Sequence, residues 1–298
     1  MGETDTELTP DSFWSAVRRC SGSALRSGAL RPISTHVNYI EDRGVEFVVR
    51  VSDNLLRKHS ASATYHQPPD QNPFLPPDPQ LTIGSLPPHH VAVLNKFNVL
   101  ENHVLVVTRG FVHQECPLTS QDFAAVAPGL AAGNGLAFYN GGKMAGASQP
   151  HRHFQLVPLP LGRSRGFPMQ VLFENVPPTA GRVRALSFRH AFSTLETDPR
   201  EPASFGSTCH HVYKDALVEL DLAESPDLGG NVRLPPYNLL LTPRWLFLAP
   251  RQTERYGGIS INGLGYAGSL FVSTPAKLEQ VREVGPMTIL REVTMPWN

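Results

Sequence analysis

The chain has 298 residues, 41% of them hydrophobic and 17% charged, with 26 basic side chains against 26 acidic ones. This composition predicts a folded protein with a sizeable core and excludes the disordered, fibrous and solenoid classes. Because the formal net charge is zero, no long-range field favours nucleic acid or an anionic membrane as a partner, and any anion must be recognised locally.

The three cysteines are isolated along the chain, at Cys20, Cys116 and Cys209. An odd number with no C-x-x-C pair argues against a disulfide framework and a zinc–thiolate site, and is typical of a reducing compartment. The first residues lack an apolar core, and no apolar run approaches the roughly 18 residues of a membrane helix. We therefore expect a cytoplasmic protein without a membrane segment.

Apolar periodicity and turn residues predict the first elements. Thr9-Pro10-Asp11 is a helix-start signal, and the apolar residues after it recur on one helical face. Residues 45–52 are β-branched and aromatic, which predicts a strand, whereas 67–80 is too proline-rich for a helix or a central strand and reads as a long loop or linker. Two further strands are predicted at 91–97 and 102–109, separated by turn-prone residues.

A helix that begins at Thr119 or Ser120 and is interrupted at Pro128 is predicted to pack on this sheet. A loop and then a strand follow within 141–160. A polar helix-like stretch, two strand-like runs and a glycine-rich segment with a last apolar run lie at 190–224, 235–251 and 257–272. Strands and helices are interspersed without a regular βαβ repeat, so we predict an α+β fold with a mainly antiparallel sheet.

The segment 141–160, GGKMAGASQPHRHFQLVPLP, carries the most informative pattern. In a strand, residues two apart point to the same side, with a rise of about 3.3 Å per residue. The side chains that then share one face are His151, His153 and Gln155. The opposite face takes Arg152, Phe154 and Leu156, which suits a packed sheet.

Three interpretations of this H-x-H pattern stay open from the residues alone. The histidines are polar groups on an exposed strand, or they share a metal ion, or His153 is a nucleophile. A metal site lacks an obvious third ligand, since Gln155 is a weak one and no carboxylate is near. The small residues at 140–148 let backbone N–H groups approach an anion closely, which favours a phosphoryl or nucleotidyl transfer site.

Six stretches of the chain resemble the diadenosine tetraphosphate (Ap4A) phosphorylase family, also called ATP adenylyltransferases. The central one, ASQPHRHFQ, is similar to the H-x-H-x-Q motif in the transferase branch of the histidine-triad superfamily, which galactose-1-phosphate uridylyltransferases share in looser form. The stretches lie at 55–59, 72–74, 94–109, 136–160, 237–251 and 261–272. The resemblance spans nearly the whole chain and implies a histidine-triad-like fold. We expect a catalytic region at 1–165 and, packed against it, a region at 166–298 that completes the nucleotide site.

The activity that the resemblance implies is cleavage of Ap4A by inorganic phosphate to ADP and ATP, through a covalent adenylyl-histidine. By position, His153 is the nucleophile, His151 flanks it and Gln155 contacts the phosphate. A neutral amide at 155 cannot shuttle protons as a histidine can, which suits an intermediate that awaits phosphate rather than water. The residues that match nucleotide- and phosphate-binding positions are Lys58, Asn95, Lys96, Asn140, Gly146, Ala147, Ser148, Gln149, Asn262, Gly263, Leu264 and Ser269.

Two residues near this pattern have no settled role. His103 lies where the superfamily often has a histidine that supports the active-site pair, and the alternative is a core histidine with satisfied hydrogen bonds. Lys143 cannot be assigned from the pattern. Arg152 stands where lysine or proline is common, and its side chain should point away from the site.

The expected partners are a dinucleoside polyphosphate, ATP, ADP and phosphate, with no tightly bound cofactor. A divalent cation, Mg or Mn, is expected only together with the substrate, since magnesium commonly keeps its waters and needs no dedicated protein cage. Two other functions stay open: hexose-1-phosphate uridylyl transfer, and a sensor that binds the dinucleotide without chemistry. The Ala-Ser-Gln sequence before the histidines favours adenylyl transfer over uridylyl transfer.

Overall fold

The computed structural model describes residues 6–52, 72–131, 133–163, 166–174, 176–177, 181–225 and 232–297. The helices in these ranges are α1 (Phe13–Ser27), α2 (Ser120–Ala131), α3 (Gln170–Phe173), α4 (Pro202–Glu219), α5 (Pro275–Val284) and α6 (Pro286–Val293). The strands of the N-terminal part are β1 (His36–Asp42), β2 (Val45–Val51), β3 (Thr82–Leu86), β4 (His90–Leu94), β5 (Val104–Thr108), β6 (Gly135–Gly141) and β7 (His153–Pro158). Those of the C-terminal part are β8 (Ala191–Thr194), β9 (Tyr237–Leu241), β10 (Trp245–Pro250), β11 (Arg255–Tyr256), β12 (Ile259–Ser260) and β13 (Ser269–Val272).

A large sheet built from both parts of the chain dominates the fold. Its strand order within the described residues is β3-β4-β5-β7-β6-β9-β10-β8, and every neighbouring pair is antiparallel. A second sheet has the order β1-β2-β13, in which β13 runs parallel to β2. The predicted α+β class with a mainly antiparallel sheet is therefore confirmed.

The large sheet is covered on both faces, because its strands alternate between two hydrophobic cores. Phe154 and Leu156 of β7 pack into the core that also contains side chains of α1, α2 and α4. Val157 of the same strand belongs to the other core, with residues of β2, β13, α5 and α6. Helices α1, α2 and α4 therefore lie on the side of Phe154. The smaller sheet lies on the opposite side, together with α5 and α6.

Local sequence explains where α2 begins. The backbone N–H of Thr119 donates to Asp122 Oδ2 at 2.7 Å, and the N–H of Asp122 donates back to Thr119 Oγ1 at 3.3 Å. This reciprocal pair satisfies two donors at the N-terminus of the helix. The expected interruption at Pro128 is wrong, because α2 continues to Ala131. Pro128 lies in the last turn, where the loss of one backbone hydrogen bond is tolerated.

Other sequence predictions are confirmed in part. The first helix, the strand at 45–52 and the strand pairs at 91–109 and 235–251 are present, with shifted ends. The expected helical stretch at 190–224 instead begins with strand β8, and its helix is the shorter α4. Of the predicted loop at 67–80, residues 72–80 are described and consist of turns and isolated bridges. None of the described helices is long and apolar enough to cross a membrane.

Candidate active site

His153 begins strand β7, between β5 and β6 in the middle of the large sheet. Its side chain is buried, and its Nδ1 lies 2.8 Å from the carbonyl oxygen of His151. A carbonyl only accepts hydrogen bonds, so the proton is on Nδ1 and the Nε2 lone pair is the nucleophilic one. Burial lowers the pKa of His153 to about 4, which keeps the imidazole neutral at physiological pH.

His151 has the opposite tautomer. Its Nε2 lies 2.9 Å from the carbonyl oxygen of Thr108, and its Nδ1 lies 2.9 Å from Nδ2 of Asn72. Because the carbonyl accepts and the amide nitrogen donates, the proton is on Nε2. Burial lowers the pKa of His151 as well. Both ring nitrogens of His151 are thus engaged in hydrogen bonds.

A phenylalanine packs against both imidazoles. The ring centroid of Phe74 lies 5.6 Å from that of His151 and 5.5 Å from that of His153. Phe74 and Asn72 both belong to the short segment after residue 71, so this segment holds the histidine pair with one hydrogen bond and one apolar contact. Such packing excludes water from the nucleophile and accounts for its low pKa.

Gln155 is oriented by His103, and His103 is in turn oriented by Asn95. Its Oε1 accepts a hydrogen bond from Nε2 of His103 at 3.0 Å, and Nδ1 of His103 lies 3.2 Å from Nδ2 of Asn95. The Asn95 amide donates to His103, which fixes the His103 proton on Nε2. The oxygen of Gln155 is thereby engaged, so its NH2 group serves as the donor toward the site.

The two central strands separate at His153. Strands β6 and β7 pair from Gly135 opposite Pro158 to Phe138 opposite Gln155. Beyond this point the side chain of Gln114 bridges them. Its Nε2 donates to the carbonyls of Asn140 and His153 at 2.9 and 3.2 Å, and its Oε1 accepts from the backbone N–H of His153 at 2.8 Å. This amide replaces direct pairing and opens the sheet beside His153.

The glycine-rich loop after β6 lines this opening. It forms a 3-10 turn at Lys143–Ala145, with Gly142 at φ 100° and Gly146 at φ 89°. Only glycine adopts such angles at low cost. A Cβ on Gly146 would stand 2.9 Å from Cβ of Asn262, so the loop packs directly on the C-terminal part of the chain.

Arg152 points away from the two histidines, as expected from strand alternation. Its Nη1 donates to Oδ2 of Asp122 at 2.9 Å, and its Nη2 donates to the carbonyls of Cys116 and Pro117. The other oxygen of Asp122 lies 2.9 Å from Nε2 of His90. His90, Asp122 and Arg152 are all buried. His90 is thus a structural residue of this cluster.

The structure brings most of the predicted substrate-binding residues to this region. Asn140 Oδ1 accepts from the backbone N–H of Gly263 at 2.8 Å, which joins the two parts of the chain beside the glycine loop. Leu264 is buried just behind this contact, its N–H bonded to the side chain of Asn262. Ala147, Ser148 and Gln149 continue the loop toward the histidines and are partly or fully exposed, and half-buried Lys96 follows Asn95.

Two of the predicted residues are not among those that the structure brings together here. Lys58 lies outside the described residues. Ser269 is buried, and its hydroxyl accepts a hydrogen bond from Arg50 on β2 at 2.9 Å, so its contact is with the smaller sheet. The substrate-binding roles of all these residues stay predictions.

Several residues that shape the site were not identified individually from the sequence, although Thr108, Asn238 and Arg251 lie in stretches that resemble the family. Gln114, Thr108, Asn238 and Arg251 are ordinary polar residues in separate segments, and their roles depend on which strands become neighbours. Thr108 and Asn238 lie near the ends of otherwise apolar strands, a position that could have indicated a role in the site. The described residues contain no group of three or more His, Cys, Asp or Glu side chains placed to hold a metal ion.

Known proteins resemble the chain in sequence and in fold. Residues 3–175 match the family model of the Ap4A phosphorylase N-terminal domain, and residues 184–296 match that of the ATP adenylyltransferase C-terminal domain. The diadenosine 5',5'''-P1,P4-tetraphosphate phosphorylase 2 of Saccharomyces cerevisiae is 28% identical over 242 residues, 72% of each protein. Protein APA1 of the same yeast is 25% identical over 292 residues, 88% of this chain and 87% of that protein. The crystal structure of yeast Ap4A phosphorylase Apa2 matches with a TM-score of 0.75 at 23% identity, over 95% of this chain and 97% of that chain.

The fold and the two family matches together define a nucleotidyltransferase. The site combines a neutral buried imidazole, an amide donor and a glycine-rich loop. The chain belongs to the Ap4A phosphorylase family, since the N-terminal family model alone matches more than half of its residues.

Proposed function

We propose that this protein cleaves Ap4A with inorganic phosphate to give ATP and ADP, by way of an adenylyl group on His153. The observation that carries the proposal is the fixed tautomer of His153. The bond from Nδ1 to the His151 carbonyl leaves Nε2 as the attacking atom, at the place where Gln114 holds β6 and β7 apart. Membership of the Ap4A phosphorylase family supports the choice of substrate.

In the first step, Nε2 of His153 forms a bond to the α-phosphorus of one adenosine, and the bond from that phosphorus to the bridging oxygen breaks. ATP leaves with the electron pair on its terminal phosphate. Positive charge develops on the imidazole, and the hydrogen bond from Nδ1–H to the His151 carbonyl stabilises it. In the second step, an oxygen of inorganic phosphate attacks the same phosphorus, the nitrogen–phosphorus bond breaks, and ADP is released.

Gln155 supports transfer to phosphate rather than to water. Its oxygen is engaged by His103, and its NH2 group can donate to a non-bridging oxygen of the α-phosphate. An amide has no proton to exchange at physiological pH, so it cannot act as the base that would activate water. Inorganic phosphate is already an anion and needs no such base.

The reaction products test the proposal. We expect the protein to convert Ap4A and phosphate to ATP and ADP in equal amounts, and to gain the mass of one adenylyl group when phosphate is omitted. His153→Ala should lose turnover and the mass increase, whereas His211→Ala, a change at an exposed histidine on α4, should keep both. AMP and ATP as products would contradict phosphorolysis, and exchange of UDP-glucose with glucose 1-phosphate would favour uridylyl transfer.

We also propose that Mg or Mn enters with the polyphosphate. Magnesium binds phosphate oxygens while keeping several of its waters. Removal of divalent cations with EDTA should then weaken binding of Ap4A, with no cation retained by the free protein after dialysis.

The balanced charge of the chain supports a cytoplasmic protein that binds neither nucleic acid nor membranes.

A further inference from the structure

Arg251, just after β10, is a buried cation bonded only to neutral groups. It is 2% exposed, and each of its five N–H groups has an acceptor. Nε donates to the carbonyl of Val293, and the four remaining donors reach the carbonyls of Ile261, Thr253 and Glu254 and the side-chain oxygen of Asn238.

A buried charge is normally paired with an opposite charge, because its transfer from water is costly. No carboxylate among the described residues forms an ion pair with Arg251. The carboxylate nearest in sequence, that of Glu254, lies 3.1 Å from Arg255 and 2.8 Å from the hydroxyl of Ser260. Burial lowers the pKa of Arg251, as expected for a cation in this environment. Within the described residues, the fold therefore maintains a buried positive charge that Glu254 offsets only in part and without an ion pair.

This charge is connected to the glycine-rich loop by two hydrogen bonds in series. Arg251 Nη1 donates to Oδ1 of Asn238 at 2.5 Å, and Nδ2 of Asn238 donates to Oδ1 of Asn140 and to the carbonyl of Ala145, both at 2.9 Å. Asn140 Oδ1 also accepts from the N–H of Gly263 at 2.8 Å. The side-chain oxygen of Asn140 thus accepts two hydrogen bonds, and its NH2 group can donate to a ligand at the loop.

We infer that Arg251 is a positioning residue whose charge is balanced by the polyphosphate of the substrate. It acts through Asn238, which turns the Asn140 amide and anchors the loop at Ala145, and it adds positive potential behind the phosphates. The inference rests on the proposed function. Two hydrogen bonds and one amide separate Arg251 from the loop by roughly 8 Å, a distance at which a buried charge is weakly screened.

The alternative is that Arg251 only joins the carbonyls of three C-terminal segments. Two substitutions separate the roles, since Arg251→Lys and Arg251→Met both lose the five-bond geometry but only the second loses the charge. Isothermal titration with ATP and with AMP, in a His153→Ala background that prevents covalent transfer, measures the effect. We expect Arg251→Met to weaken ATP binding about tenfold more than Arg251→Lys does, and AMP binding by only about two- to threefold more, because the effect grows with the charge of the ligand.

The control is Arg244→Met, which removes a charge from the exposed turn at the other end of β10. Solvent screens that charge, so the ratio of ATP to AMP affinity should not change. If Arg251→Lys and Arg251→Met had the same ratio of ATP to AMP affinity, the inference would be overturned. Failure of the parent to bind either nucleotide would instead overturn the proposed function, and the inference with it.

A second variant covers the case in which both Arg251 substitutions prevent folding. Asn238→Asp keeps an acceptor for Arg251 and places a negative charge beside it. We expect a larger loss of affinity for ATP than for AMP in this variant, with the circular dichroism spectrum unchanged. An unchanged ratio of the two affinities would contradict a role for the charge.

Discussion

Two histidines on one strand edge carry their protons on different ring nitrogens. His153 donates from Nδ1 to a backbone carbonyl, and His151 donates from Nε2 to another. Backbone carbonyls fix both tautomers, and no carboxylate among the described residues is bonded to either ring. A carboxylate would raise the pKa of its histidine, whereas a neutral acceptor orients the ring and leaves it unprotonated. A nucleophilic imidazole needs both properties.

The low pKa of His153 predicts how the first step depends on pH. With a pKa of about 4, the imidazole stays neutral from pH 8.5 down to roughly pH 5. Ap4A has no terminal phosphate and therefore no ionisation near pH 6 of the kind that a phosphate monoester shows. The burst of ATP formed in the absence of phosphate should keep its rate constant between pH 8 and pH 5.5 in rapid-quench experiments. A halving of the rate constant near pH 6.5 would indicate an ordinary exposed imidazole instead.

The hydrogen bond from His103 predicts a positioning effect on Gln155. His103→Ala removes the donor that engages the Gln155 oxygen, so the amide can rotate and present the wrong group to the phosphate. We expect kcat for Ap4A phosphorolysis to fall about tenfold with little change in KM, the loss of roughly one hydrogen bond to a charged transition state. His103→Gln, which retains a donor, should recover part of kcat. Equal loss in both variants would show that His103 acts only through packing.

The alternation of side chains along a strand predicted that His151, His153 and Gln155 share one face. It also predicted that Arg152 points the opposite way. It could not identify Gln114 or Asn72, because their importance arises only when distant segments meet. Gln114 lies in turn-rich sequence, with nothing near it to distinguish it from a surface residue. Asn72 begins one of the stretches that resemble the family, but that resemblance did not identify its bond to His151. The tautomers were equally out of reach, since they depend on which carbonyl lies opposite each ring nitrogen.

At the scale of elements, the segment that leads into β7 and His153 is joined to α2 by a buried charge cluster. Asp122 caps its own helix through Thr119 and accepts from Arg152 and from His90. The favourable hydrogen bonds and the Arg152 charge outweigh burial and lower the pKa of Asp122. One carboxylate therefore fixes the helix start and the back of the active-site strand.

We expect removal of the Asp122 carboxylate to cause a large loss of stability. Asp122→Asn leaves the Arg152 guanidinium buried without its counterion, which typically costs about 3–5 kcal/mol. Urea denaturation at pH 7.5 should show a fall of this size in the free energy of unfolding. The double variant Asp122→Asn with Arg152→Met should lose less than the single one, because no uncompensated charge is left. A fall below about 1 kcal/mol in the single variant would contradict a structural role for the pair.

Element types were predictable where a period was clear. Phe13 and Val17 repeat on the buried face of α1, and the β-branched run of β2 forms the strand that its residue types favour. Strand β6 was missed because all seven of its residues are buried, so no polar alternation marks it after the helix. Strand β8 was missed because four residues beside a long polar stretch give too short a pattern.

At the scale of the whole molecule, one sheet joins the two parts of the chain. Strand β6 pairs with β7 on one side and with β9 on the other, so the glycine loop that follows β6 is held by both parts. The sequence predicted that the C-terminal part completes the site, through the resemblance of its segments. It could not give the strand order, because pairing between residues about 100 positions apart leaves no local periodicity.

The whole chain should also lose stability in mild acid, because two buried histidines stay neutral in the fold. His190 accepts from the N–H of Val183 and donates to the carbonyl of Phe188, and burial lowers its pKa to about 4, as it does for His153. Below the unfolded pKa of about 6.5, the unfolded chain binds protons that the folded chain does not bind, so the free energy of unfolding falls as pH decreases toward 4 and is level above 6.5.

Each of these histidines should remove about 2 kcal/mol between pH 7.5 and pH 5, at about 1.4 kcal/mol per unit of pH below 6.5. Asp122 does not contribute in this window, because a carboxyl with a lowered pKa loses its stabilisation only below the unfolded value of about 3.9. Urea denaturation at a series of pH values should therefore show a smaller acid loss, by about 2 kcal/mol, in His190→Gln, even if that variant is less stable at every pH. His211→Gln, at an exposed position, should follow the original protein. If His190→Gln and the original protein show parallel curves, the imidazole of His190 is already protonated in the fold, and the acid sensitivity arises elsewhere.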